Sequence, residues 1–219
     1  MFICLIGIDG SGKTTAAQAL VKRAESLGLN ATYTWGKYES IFFKILIRIK
    51  NTFFVRERDW RENFERSRTM KTSLFANRFA AWLYETYLLV SYWFKIVFKV
   101  GLPLLIGKDC ICDRYVYDTF VDLAIDLGYS DQTMLAKMER YMRYVPKPDI
   151  VFHFSVPATV AMNRKGDIPS RDIWNEKSRR YHLFTDVEEI ISLDGTLSVN
   201  ALLEQIEIHL ADRMRRKGV

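Results

Sequence analysis

Residues 7–14 read GIDGSGKT and follow directly on the apolar run 2–6. The spacing Gly-x-x-x-x-Gly-Lys-Ser/Thr, set between a strand-like run and a helix-like run, is that of a phosphate loop, and it restricts the chain to folds in which a strand ends beneath a helix N-terminus. Gly7, Gly10 and Gly12 allow backbone conformations that a side chain would obstruct, so successive amide N–H groups can turn inward on phosphate oxygens. Lys13 adds a mobile cation, and the following helix adds the partial positive charge of its N-terminus. The Thr14 hydroxyl can meet a magnesium ion that bridges phosphates. Gly7, Gly10, Ser11, Gly12, Lys13, Thr14 and Thr15 are therefore the candidate site for a nucleoside triphosphate and Mg2+.

Hydrophobic periodicity supplies the remaining elements. Ala17, Leu20, Val21, Ala24 and Leu27 recur at helical spacing, and Gly28 stands where a left-handed cap belongs. Further strands are predicted at 31–35, 109–113, 150–156 and 189–193, the third of these near-continuously apolar, as in the middle of a parallel sheet. Residues 74–99 read as one long, largely buried helix ended near Gly101 and Pro103. Other helices are predicted at 117–127, 133–144, 174–184 and 199–216. Residues 41–55 fit a helix that covers the sheet or lies against lipid, and the charge-dense 59–71 fits solvated helix or loop. The fold class is α/β, a three-layer sandwich around a five-stranded parallel sheet, with ligands at the carboxyl ends of the strands. A single domain over 1–219 is expected, with a lid segment at 163–174.

The net charge of +6 and pI near 9.2 suit anionic partners, but nucleic acid is not required, because phosphate chemistry already asks for Lys and Arg. Cys4, Cys110 and Cys112 are odd in number, with no clustered His to complete a zinc set; they read as buried thiols in a reducing, cytoplasmic setting. His153, His182 and His209 are scattered and take structural or surface roles. The N-terminus is expected to lead straight into a strand rather than through a targeting peptide. The most apolar stretch, 79–94, is interrupted by Glu85 and flanked by Arg78 and Lys95, and reads as too short and too charged for a membrane span.

A phosphate loop alone does not separate kinases from switches, and three further features narrow the choice. Asp113, Arg114 and Tyr115 follow the third strand, where a carboxylate can hold magnesium or take an acceptor proton and an arginine can pair with a second phosphate group. Arg78 stands amid apolar neighbours and needs an anionic partner or a route to water. Residues 164–171 form a basic loop whose Arg164 and Arg171 can close on a triphosphate and stabilise charge that builds up during transfer. No guanine-reading Asn-Lys-x-Asp is present at the spacing a GTP switch needs.

In these pieces, taken in order, the chain resembles the thymidylate kinase family of nucleoside monophosphate kinases: the loop GIDGSGKTT, the helix start FANR, the strand end DRY, the lid entry VPATVAMNR and the turn LDG, from Phe2 to about His209. The resemblance implies an ATP- and Mg2+-dependent transfer to a nucleoside monophosphate, by a homodimer. It implies that Asp9 meets the sugar end of the acceptor, that Arg78 and Arg114 hold its phosphate, and that Asp113 lies beside metal and acceptor. Gly10 stands where some members carry a loop arginine, so the lid arginines Arg164 and Arg171 become the catalytic candidates with Lys13. Asp194 matches the stretch near the adenine ring.

The departures fall on the acceptor side. The family's Arg-Glu-Pro-Gly-Gly-Thr loop reads WGKYES here, the thymine-stacking aromatic is Leu74 with Phe75 displaced by one, and the Ser, Ala, Tyr and Gln positions after DRY are Asp118, Val121, Asp122 and Leu123. Two other readings therefore stay open at this point: a phosphorylated lipid- or glycan-linked acceptor met at a membrane surface through 41–55 and 79–94, and a nucleotide-binding protein without catalysis.

Overall fold

The apolar run at the N-terminus becomes strand β1 (Phe2–Ile6), with every residue buried. It lies between two parallel neighbours, β3 (Asp109–Asp113) and β4 (Ile150–Ser155). In the computed structural model, which describes residues 1–38, 77–165, 171–184 and 190–217, β2 (Ala31–Trp35) and β5 (Ile190–Asp194) complete an all-parallel sheet of order β2-β3-β1-β4-β5. The readings of 41–55 and 59–71, the positions Leu74 and Phe75, and the lid residues 166–170 lie outside the described residues.

The sheet is buried on both faces because helices cross over each of them. α1 (Lys13–Arg23) and α8 (Val199–Lys217) flank one face, where Ile3 and Leu5 meet Ala16, Leu20, Leu202 and Ile206. On the other face Phe2, Cys4 and Ile6 meet side chains of α2 (Arg78–Ile96), α4 (Val116–Asp126) and α5 (Asp131–Met142), among them Tyr92, Phe120 and Met134. A π turn (Val97–Gly101) and the short α3 (Leu102–Leu105) extend α2; α6 (Ala158–Lys165) and α7 (Arg171–His182) follow β4. All three cysteines are free and buried in strands, and burial pushes each thiol pKa up.

The long helix departs from its sequence reading in two ways. It does not stop at Gly101 and Pro103 but runs on to Leu105. Pro103 has no N–H to offer the Lys99 carbonyl, and Thr34 Oγ1 donates to that oxygen instead, at 3.1 Å, so the proline costs the helix little. Nor is the helix largely buried. Glu85, Leu88, Tyr92, Ile96 and Val100 form the stripe that packs inward, and Glu85 takes Lys137 Nζ at 2.7 Å. A second apolar stripe faces out: Phe79 is 68% exposed, Trp82 56% and Leu105 85%, with Val90, Phe94 and Phe98 between them. By length and composition the 28 residues Arg78–Leu105 could cross a membrane, but their inward stripe is part of the sheet's core.

Gly36 closes β2 against the end of β3. Its N–H donates to Asp113 O at 2.9 Å, its carbonyl accepts from Tyr92 Oη at 2.6 Å, and a Cβ there would lie 2.1 Å from Arg114 O. Gly36→Ala is expected to destabilise by about 2 kcal/mol or more through overpacking. Gly28→Ala, where a Cβ meets nothing within 4 Å, should lose only about 1 kcal/mol to its positive φ. Urea unfolding of the two variants checks the difference.

Candidate active site

The phosphate loop joins β1 to α1. Gly7, Gly10 and Gly12 all take positive φ, of 142°, 81° and 90°. Two of them are also pressed by neighbouring backbone: a Cβ on Gly7 would lie 2.7 Å from Phe154 O, and one on Gly10 2.6 Å from Ala161 O. Among the described residues no side chain caps the N-terminus of α1, so its first N–H groups face the loop where a ligand would lie. Thr14 and Thr15 are exposed at its start, whereas Ser11 is buried and its Oγ has no partner among the described residues. Lys13 is buried and donates to Ile8 O at 2.7 Å; burial, with the nearby Arg114 adding to it, pushes its pKa down to about 7.

Parallel pairing of Leu5 with Asp113 sets the end of β3 beside this loop. Asp113 is fully buried. Its Oδ2 accepts from Tyr33 Oη at 3.1 Å, while Oδ1 is buried without a partner among the described residues. A buried carboxylate oxygen left open beside a phosphate cradle fits an ion-bound water or an acceptor hydroxyl, so the residues present suit ATP with Mg2+.

Arg114 turns sharply out of the strand with φ 72°, the one positive value outside glycine among the described residues. The turn leaves its guanidinium buried between two carboxylates: Nη2 pairs with Asp9 of the phosphate loop, and Nη1 with Asp118 at 3.3 Å. Asp118 also accepts from Tyr181 Oη at 2.7 Å and from Tyr115 N at 3.1 Å. Its complete burial raises its pKa, against the pull of Arg114 and Lys13. Asp9 behaves oppositely: burial would raise it, but Arg114 and Lys37 hold its carboxyl well below the usual range. One turn beyond Asp118, Asp122 takes Lys177 at 2.5 Å and Lys37 at 3.1 Å. Lys165 reaches Asp9 at 3.6 Å, and Lys95 donates to Lys37 O while lying over the Trp35 ring.

Of the residues singled out by sequence, the structure brings together Asp9, Lys13, Asp113 and Arg114 around one crevice. Arg164 joins them from the far side, donating to Gly195 O at 2.8 Å and Gly10 O at 3.4 Å, beside the turn where Asp194 Oδ1 accepts from Thr196. Arg171 is exposed at the first position of α7. Tyr115 is turned away into the core, its hydroxyl donating to Pro146 O at 2.7 Å. Arg78, which needed an anionic partner or a route to water, has the route to water: it is exposed, 14 positions and about 21 Å along the helix from Tyr92, which contacts Gly36. Sequence reasoning missed Lys37, Lys177 and Tyr181, and met Asp118 and Asp122 only as departures. Their four-residue spacing on a helix beginning at the crevice was the available signal.

No protein-family profile matches the chain. Individual relatives do. The chain is 30% identical to a probable thymidylate kinase of Thermococcus kodakarensis over 190 residues, 86% of this chain and 81% of that one. It is 28% identical to a probable thymidylate kinase of Pyrococcus horikoshii over 216 residues, covering 95% and 91%, and 28% identical to one of Methanocaldococcus jannaschii over 177 residues, covering 81% and 74%.

The depressed pKa of Lys13 has a measurable consequence. Above about pH 7 the free protein holds this amine largely neutral, and a bound triphosphate would favour its charged form. ATP binding between about pH 8 and pH 9 is therefore expected to take up close to one proton. Titration calorimetry in buffers of different ionisation enthalpy measures the uptake, which Lys13→Met should abolish.

Proposed function

Since the chain belongs to the thymidylate kinase family, we propose that it is an ATP- and Mg2+-dependent nucleoside monophosphate kinase whose acceptor is thymidylate. The observation that carries this reading is the pair formed by Asp9 of the phosphate loop and Arg114 at the end of β3, because it places an acceptor-side arginine against the donor loop. The relatives give no support to a lipid- or glycan-linked acceptor, or to binding without catalysis.

Amide groups of residues 7–14 and Lys13 hold the triphosphate, with Thr14 and Asp113 the residues that would hold Mg2+, which supplies alignment and charge neutralisation when bound. Arg114 exchanges Asp9 for the acceptor phosphate. Asp118 stays as its anchor, because that carboxylate is buried and already fixed by Tyr181 and Tyr115. The released Asp9 is then free for an acceptor hydroxyl. Arg164 and Arg171, at the two ends of the lid in a single kinase domain, supply positive charge as the phosphoryl group moves and water is excluded. Three buried free thiols agree with a cytoplasmic setting.

A homodimer through the outer stripe of α2 accounts for its exposed apolar side chains. Ten large apolar residues from Phe79 to Ile106, each at least about 40% exposed, offer roughly 800–1,000 Å² to a partner, the size of a standard interface side. Light scattering should give a dimer, and Trp82→Glu with Phe94→Glu a monomer.

In a coupled assay of ADP release with ATP and Mg2+, thymidylate should be turned over and Lys13→Ala should abolish it. Arg114→Ala is expected to lower kcat by about 100-fold while ATP affinity stays within about threefold. Equal losses in both would remove Arg114 from the acceptor site.

A further inference from the structure

Helices α4 and α7 meet through two rungs. Asp118 and Asp122 lie one turn apart on α4, Tyr181 and Lys177 one turn apart on α7, and they pair antiparallel, Asp118 with Tyr181 and Asp122 with Lys177. The inner rung is sealed and serves Arg114. The outer rung is open: the Asp122 and Lys177 side chains keep 30% and 19% of their exposure, and the second oxygen of Asp122 takes Lys37. Lys37 follows the end of β2, whose Trp35 pairs with Asp113, and both lysines lie near enough to Asp9 to act on its charge. The row therefore stands at the crevice beside Asp9 and Arg114.

A partly solvated bridge of this kind contributes little to stability, yet it presents a fixed order of hydrogen-bonding groups: donor, acceptor, donor. The Watson–Crick edge of thymine or uracil has the complementary order, with the O4 acceptor, the N3–H donor and the O2 acceptor. We propose that Lys37, Asp122 and Lys177 are the specificity-determining residues of the acceptor site, the two ammonium groups donating to the base carbonyls and Asp122 accepting N3–H. The inference rests on the nucleoside monophosphate reading above. It also rejects other bases by mismatch. Cytosine would turn its N4 amino group toward a lysine and its bare N3 toward the carboxylate, adenine would present an amino group and an unprotonated N1, and guanine would match at two positions of three.

Binding is measured by titration calorimetry on the full chain with dTMP, UMP, GMP and dCMP. The wild-type protein should bind dTMP and UMP at least about tenfold more tightly than dCMP, with GMP between them. Lys177→Met and Lys37→Met should each weaken dTMP by about fivefold or more and leave dCMP unchanged or tighter, so that the ratio contracts, with ATP affinity unmoved. Lys37 is a partly exposed loop residue, so its variant stands in should Lys177→Met not fold. Equal wild-type affinities for dTMP and dCMP overturn the inference, as does an unchanged ratio in the folded variants, which would leave the row a structural bridge. Absence of turnover with every monophosphate would instead overturn phosphotransfer, and the base preference in binding would still decide the role of the row.

Discussion

A buried guanidinium must be matched by negative charge, and the site is arranged around that requirement at Arg114. The side chain is 8% exposed and stands between Asp9 and Asp118, since an arginine left uncompensated there would cost several kcal/mol. Its two partners differ in kind. Asp118 is inaccessible and held from three sides, so it is a fixed counterion; Asp9 lies at the mouth of the phosphate loop and is 23% exposed. One carboxylate is a buried anchor for the arginine; the other is open to solvent. The backbone at Arg114 is left-handed, with φ 72°, at the point where its side chain turns between the two carboxylates.

Helix α7 joins this arrangement from the far end of the chain. Tyr181 reaches Asp118, Lys177 reaches Asp122, and the Tyr181 ring stacks on His153 at 5.5 Å between centroids. His153 lies in β4 opposite Ile6, and burial pushes its pKa down to about 4, so it stays neutral beneath the crevice. Helix α7 is thus fixed to both carboxylates of α4 and to the strand beside the phosphate loop. The packing thus ties α4, α7 and β4 into one rigid unit beside the phosphate loop.

The most legible parts of the chain were those governed by local rules. Strands β1, β2 and β3 fall where short apolar runs bounded by turn residues placed them, and Gly28 takes its left-handed cap at φ 74°. The thiols of Cys4, Cys110 and Cys112 are buried as the strand pattern requires. Errors came where a long-range partner overrode a local rule. Pro103 should end a helix, but Thr34, distant in sequence, satisfies the carbonyl it leaves open. The apolar run 79–94 read as buried because composition does not say how many faces a helix has to cover; only its inner stripe meets the sheet.

The site divides along the same line. The phosphate loop was decided by the sequence alone, because its glycine spacing and the strand and helix on either side prescribe a backbone that can do little else. The parallel alternation of strands and helices, set by hydrophobic period, was decided there too, and with it the edge of the sheet at which the site lies. Which charges face which was settled only by tertiary structure. Pairing Arg114 with Asp9 takes a strand register 105 residues away in the chain, and pairing Asp122 with both Lys37 and Lys177 takes three separate segments brought to one crevice. Arg78 and Tyr115 carry the motif letters but lie up the helix and in the core. Local sequence prescribes backbone shape within a few residues; electrostatic partnership depends on distance in space, and packing sets that distance.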